Sequence, residues 1–235
     1  IVPKDRDISF IERTNLIEVM PDGIKITYRG VRALSRNPQR GDNAIFKFVK
    51  DFHGHLDKTS SLYSMVNMVY ELFLDDFYGK KSGLYHEDAA MGCSSVCLMS
   101  LNTQAEKLEL CVDVRYVRTR DEQKLLHVLR QMALHYGCDL EVLRHKRLLY
   151  VEPDSTLIQS LKKAYYKVMK EEAEVFTKGG ASYARVLDHG VAFGATFPKE
   201  DPRPHMPNEC MPVESLLKAS EIYYEALVEL ACTKG

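Results

Sequence analysis

Two strand-like runs, CSSVCLMSLNT (93–103) and KLELCVDVRYV (107–117), are separated only by Gln104-Ala105-Glu106, a spacing consistent with a β-hairpin. The segments on either side constrain what that hairpin can join. Upstream, GIKITYRG (23–30) alternates apolar and polar residues like a short strand. Asn43 is placed to cap a helix over 43–52, and Leu62, Met65, Val66, Val69, Leu72 and Phe73 recur at helical spacing. Downstream, the stretch from Thr119 has acidic residues early, Leu125, Val128, Leu129 and Met132 on one face, and Gly137 as a stop. DLEVLRHKRLLYV (139–151) then returns to strand character. Strand, helices, strand, strand, helix, strand is the split βαβ order of a ferredoxin-like sandwich, an α+β fold with helices on one face of an antiparallel sheet.

After Pro153, Asp154 is a candidate cap for a helix over 155–171, and a closing helix runs from Val213 to about Ala231. Between them lie a Gly-Gly loop, the short apolar runs SYARVLD and GVAFGATF, and the proline-bounded PRPHMPNE. Helix, strand and helix in that order complete no sheet of their own. The expected division is therefore a domain over 1–152 and, over 153–235, the end of a second domain whose other half lies elsewhere. An opening IVPKDRD without an initiator Met fits the same expectation.

Charge is balanced, 32 basic against 33 acidic residues, so no net field selects nucleic acid or anionic lipid as a partner. The strands also lack the aromatic signature of an RNA-binding sheet. No apolar run approaches the roughly 20 residues that span a bilayer, and the chain reads as soluble and cytoplasmic. Six cysteines without a CxxC pair read as buried, reduced thiols. Apolar strand edges left open in the tail would favour homo-oligomers.

Few residues stand out as chemistry. His205, between Pro204 and Pro207, is either a rigidly presented ligand or a solvated loop residue. Gly179-Gly180-Ala181-Ser182 could offer N–H groups to an anion or be a plain helix-to-strand turn. Arg115 follows Asp113 on one strand face, which suits either a carboxylate clamp or a surface ion pair. His53 and His55 sit in a polar linker, where a solvated role outweighs metal binding.

Taken in order, GVRALSRNPQRGDNAI (30–45), VDVRY (112–116), GGASYAR (179–185), GVAFGATFP (190–198) and HMPNE (205–209) resemble segments of the PepV-type dipeptidases. These belong to the di-zinc superfamily of carnosinases, aminoacylases and carboxypeptidase G2-like enzymes. The resemblance implies that 1–152 is the later part of a ferredoxin-like lid, incomplete at its N-terminus, and that 153–235 is the returning C-terminal part of an α/β zinc-peptidase catalytic domain. It assigns the last zinc ligand to His205. Arg115 is assigned the lid role of gripping the substrate's C-terminal carboxylate, with Gly180, Ala181 and Ser182 in the turn that contacts the same group. Glu209 and Asn208 would support the ligand loop. The other ligands of the two zinc ions and the catalytic Glu belong to an N-terminal half, so this chain alone is expected to be inactive.

Two departures bear on activity. The family's G-x-x-A-H segment places Leu34 where a lid histidine polarises the scissile carbonyl, so no catalytic residue is assigned within this chain. Loss of one such donor costs about 10²–10³ in turnover. Ala181 replaces a glycine and Ser182 a threonine, and Arg32, Arg36 and Arg40 surround Leu34. The resemblance thus implies part of a zinc-dependent enzyme hydrolysing dipeptides or similar small amides. The alternative is a degenerate, non-catalytic homologue acting as an interaction module.

Overall fold

The computed structural model describes residues 2–104, 107–178, 182–194, 196–201 and 207–232. It is a mixed structure of helices and small sheets, and it divides into two compact units, Ile1–His145 and Lys146–Gly235.

The first unit is organised by the hairpin of β5 (Ser95–Gln104) and β6 (Lys107–Arg115). Leu98 opposes Val112 and Ser100 opposes Cys111, leaving Met99 bulged out and 55% exposed. The extra residue switches the alternation of β5, so that Val96, Leu98 and Leu101 share a face with Val114, Val112 and Leu110. Onto that face pack α1 (Ala44–Phe52), α2 (Ser61–Leu72) and α3 (Glu122–His135). Phe46, Val49, Val66, Val69, Leu84 and Leu125 are buried there. The opposite face carries Ser95, Cys97, Asp113 and Arg115.

Each helix begins where a side chain can satisfy an orphan N–H group. Asn43 accepts from Ile45 N at 3.0 Å, Ser60 from Tyr63 N at 3.1 Å and Asp121 from Lys124 N at 2.8 Å. Beyond α3, Gly137 takes φ +67° and ends the helix as its sequence position suggested.

The expected four-stranded sheet is not what these elements build. β2 (Gly23–Thr27) pairs with a strand the sequence pattern did not reveal, β1 (Leu16–Met20), in a separate hairpin. A third small hairpin joins β3 (Glu87–Asp88) and β4 (Gly92–Cys93). Residues 139–151 form no strand, and 139–147 are exposed. Their Leu and Val content suits a strand, but a strand exists only where a neighbour completes its ladder.

The second unit centres on α4 (Thr156–Met169) and α5 (Val213–Cys232), which bury Leu161, Ala164 and Ala226. The cap of α4 is Ser155, which accepts from Ile158 N at 3.4 Å, and not Asp154. A hydroxyl one residue later holds the position that N2/N3 geometry requires. The expected tail strands are absent: Tyr183–Val186 form a 3-10 turn, and the described residues of 190–198 form no strand. All six cysteines are free but none is buried, which corrects the expectation of core thiols; Cys93, Cys210 and Cys232 are exposed. No helix among the described residues is long and apolar enough to cross a membrane.

Candidate functional site

The loop from Gly30 to Asn43 is pinched closed at its neck. Val31 and Asp42 exchange both backbone hydrogen bonds at 2.9 Å. The approach is so close that a Cβ on Gly30 would lie 2.3 Å from the Asp42 carbonyl oxygen, and one on Gly41 2.7 Å from that of Val31. Buried Pro38 opens the 3-10 turn Pro38–Arg40, and Asn37 N donates to Leu34 O at 2.8 Å. Asn43 ties the neck to the hairpin: while its oxygen caps α1, its Nδ2 donates to Leu98 O, beside the bulge, at 3.0 Å.

That anchoring places the loop against the polar face of the hairpin. Arg115 Nη2 donates to Ser35 Oγ at 2.8 Å and to Asp113 Oδ2 at 3.3 Å. Ser95 Oγ donates in turn to the Ser35 carbonyl at 3.4 Å. The guanidinium is about one-third exposed, so the Asp113 pair adds little stability by itself. What it gains is orientation. A hydroxyl from the loop and a carboxylate from its own strand fix the orientation of the planar guanidinium. Leu34, next to Ser35, is 57% exposed. On the same face, burial and then Asp113 push the Cys97 thiol up, against the lowering effect of Arg115.

The sequence therefore located Arg115 and Asp113 on one face, and the structure adds Ser35 and Ser95, which sequence reasoning missed. Ser35 is separated from Arg115 by 80 positions. Its one local signal is its place next to Leu34 in the pattern of the pinched loop. His53 and His55 serve packing, stacked on Tyr70 at 3.6 Å and on Phe10 at 3.9 Å.

In the second unit, Ser182 has extended backbone and heads the 3-10 turn, its carbonyl accepting from Arg185 N at 3.3 Å. It borders an open apolar depression of about 490 Å³ lined by Tyr183, Val191 and Phe193. Asn208, at φ +62°, forms a turn ahead of exposed Glu209. Gly180, Ala181 and His205 lie outside the described residues. Among the described residues no group of three or more His, Cys, Asp and Glu side chains is arranged to hold a metal ion.

Residues 8–229 match the sequence pattern of peptidase family M20/M25/M40. The chain belongs to this family. Among its relatives, a Staphylococcus haemolyticus protein named "Putative dipeptidase" is 28% identical over 213 residues, 89% of this chain and 45% of the relative. A like-named protein of Staphylococcus aureus strain USA300 is 28% identical over 228 residues, 94% of this chain and 48% of the relative. An M20 family metallo-carboxypeptidase from Sulfolobus solfataricus has a TM-score of 0.45 at 16% identity, covering 84% of this chain and 45% of that one. This M20 chain spans about half the length of the curated relatives it matches.

Proposed function

We propose that this chain is the substrate-gripping lid portion and C-terminal catalytic segment of a zinc-dependent M20 dipeptidase. The observation that carries the reading is the Arg115 clamp. A guanidinium held by Asp113 and Ser35, beside a pinched loop, suits the free C-terminal carboxylate that distinguishes a dipeptide from an internal peptide bond. Family membership and the dipeptidase names of the relatives support the same direction.

The chain's own residues bind and orient. Arg115 receives the carboxylate, and Ser182, with Gly180 and Ala181 beside it, is assigned to the same group. Leu34 cannot donate a hydrogen bond to the scissile carbonyl, so this chain offers no polarising group at that position. His205 would hold one zinc, with Asn208 and Glu209 steadying its loop. The pair of zinc ions, when bound, supplies an activated water. Their remaining ligands and the general base come from an N-terminal M20 half, without which hydrolysis does not occur.

The test is zinc calorimetry on this chain and on the longest protein its gene encodes, each with a His205→Ala control, followed by a dipeptide hydrolysis assay. Tight, His205-dependent binding in the longer protein with zinc-dependent hydrolysis is expected. Zinc binding unaffected by His205→Ala would remove that ligand assignment. In the hydrolytic protein Leu34→His should raise turnover by up to about 10²–10³. No gain in a folded, metal-loaded variant would break the placement of Leu34 over the scissile bond.

A further inference from the structure

The pinched loop concentrates positive charge in a chain whose total is near neutral. Between Gly30 and Asn43 it carries Arg32, Arg36 and Arg40 against a single acid, Asp42, and Arg29 immediately precedes it. Asp42 is already engaged in an ion pair with Lys47 of α1. Among the described residues none of the four arginines makes an ion pair, and Arg29, Arg32 and Arg40 are exposed. Closure at Val31 and Asp42 keeps Arg32, Arg36 and Arg40 on one compact loop, with Arg32 and Arg40 flanking the neck where Ala33 meets Gly41. The loop's Ser35 touches Arg115 directly.

An unbalanced cationic loop has a physical cost, since like charges repel and exposed guanidiniums gain nothing from one another. The cost is recovered when an anion arrives. Leu34, uncharged and projecting among them, does not compete for that anion.

We infer that this site selects acidic peptides. One carboxylate engages Arg115, and a second, from an aspartate or glutamate side chain, engages the loop arginines. The inference rests on Arg115 being the carboxylate clamp proposed above.

The experiment is an NMR titration of the chain as it stands, following the Arg Nε–Hε signals, with the dipeptides Ala-Glu and Ala-Gln, which differ only in one charge. Ala-Glu is expected to bind roughly fivefold more tightly, the scale of one or two exposed ion pairs. That preference should shrink as salt rises and vanish in Arg32→Gln/Arg40→Gln, two exposed positions whose replacement leaves the neck hydrogen bonds intact. The salt series on the unsubstituted chain decides the point even without the variant. Equal binding of the two peptides, still abolished by Arg115→Gln, would overturn the acidic preference and leave the clamp standing. Absence of any Arg115 response to either peptide would overturn both. Inorganic phosphate binding as tightly as Ala-Glu would also overturn the inference, assigning the loop to free anions.

Discussion

The two units bury their apolar residues very differently. In Ile1–His145 a cluster of twelve buried hydrophobic side chains links α1, α2 and α3 to the β5–β6 hairpin. In Lys146–Gly235 the corresponding cluster has three, Leu161, Ala164 and Ala226. Meanwhile α5 leaves Val213, Leu217, Tyr224 and Leu227 more than 60% exposed. At helical spacing these four fall on one stripe, distinct from the side that holds Ile222 and Ala226 against α4. The first unit has an extensive buried interior, and the second presents an apolar surface that its described residues do not cover. Arg115 belongs to the first unit, on a hairpin whose other face is packed, with hydrogen bonds to Ser35 and Asp113.

The largest effect that would sharpen this contrast comes from truncating matched leucines. Leu84 is completely buried, and Leu84→Ala should cost about 2–5 kcal/mol in urea unfolding. Leu227→Ala, at a position 67% exposed, should change stability by less than about 0.5 kcal/mol. Comparable losses at both positions would break the comparison.

Next in size is Asn43→Ala, which removes both the α1 cap and the tie to Leu98. A loss of about 0.5–2 kcal/mol is expected from the cap alone. Because Asn43 anchors the loop carrying Ser35, dipeptide binding should weaken as well. A stability change without any change in binding would mean that the loop holds its place through the Val31–Asp42 neck.

A smaller effect is read from pH. The Arg118 hydrogen bond, helped by the N–H groups of Ala90 and Met91, holds the buried Asp88 carboxyl below its usual range, against the effect of burial. A depressed folded value contributes stability that is fully present above the unfolded carboxylate value of about 4 and lost as pH falls through the folded one. Asp88→Asn should therefore flatten the acid limb of the stability profile below about pH 4. An unchanged limb would show that Arg118 and Asp88 do not act as a pair in solution.

The smallest effect belongs to the second unit. Lys167 reaches Glu229 at 2.6 Å and Glu225 at 3.2 Å across the α4–α5 pair, with Glu229, then Glu225, holding its ammonium above the ordinary range. A raised folded value contributes stability that is present at neutral pH and lost as pH climbs through it, so Lys167→Met should cost a little at neutral pH and flatten the alkaline limb, and, because Lys167 also holds the Glu229 carboxyl low, the acid limb too. A large loss at neutral pH would mean that this unit depends on charge where the first depends on packing.

Local patterns were legible wherever the cause was local. The cap at Asn43, the stop at Gly137 and the hairpin around 104–106 all depend on a few neighbouring residues. The misses share another cause. β1 has no strong alternation and forms because β2 lies next to it, whereas 139–151, rich in Leu and Val, forms no strand because no ladder adjoins it. Pairing is decided by a neighbour, which periodicity along one segment does not encode.

The candidate site divides along the same line. The sequence by itself determined that Asp113 and Arg115 share a face, because side chains two apart on a strand must, and it marked the start of α1 at Asn43 and the stop after α3 at Gly137. Tertiary structure alone decided that Ser35 and Ser95 steady the guanidinium, and that Arg32, Arg36 and Arg40 sit on one closed loop beside it. Those contacts depend on a loop neck only two glycines allow and on a side chain 55 positions from its acceptor, and they exist only once the core beneath them has formed.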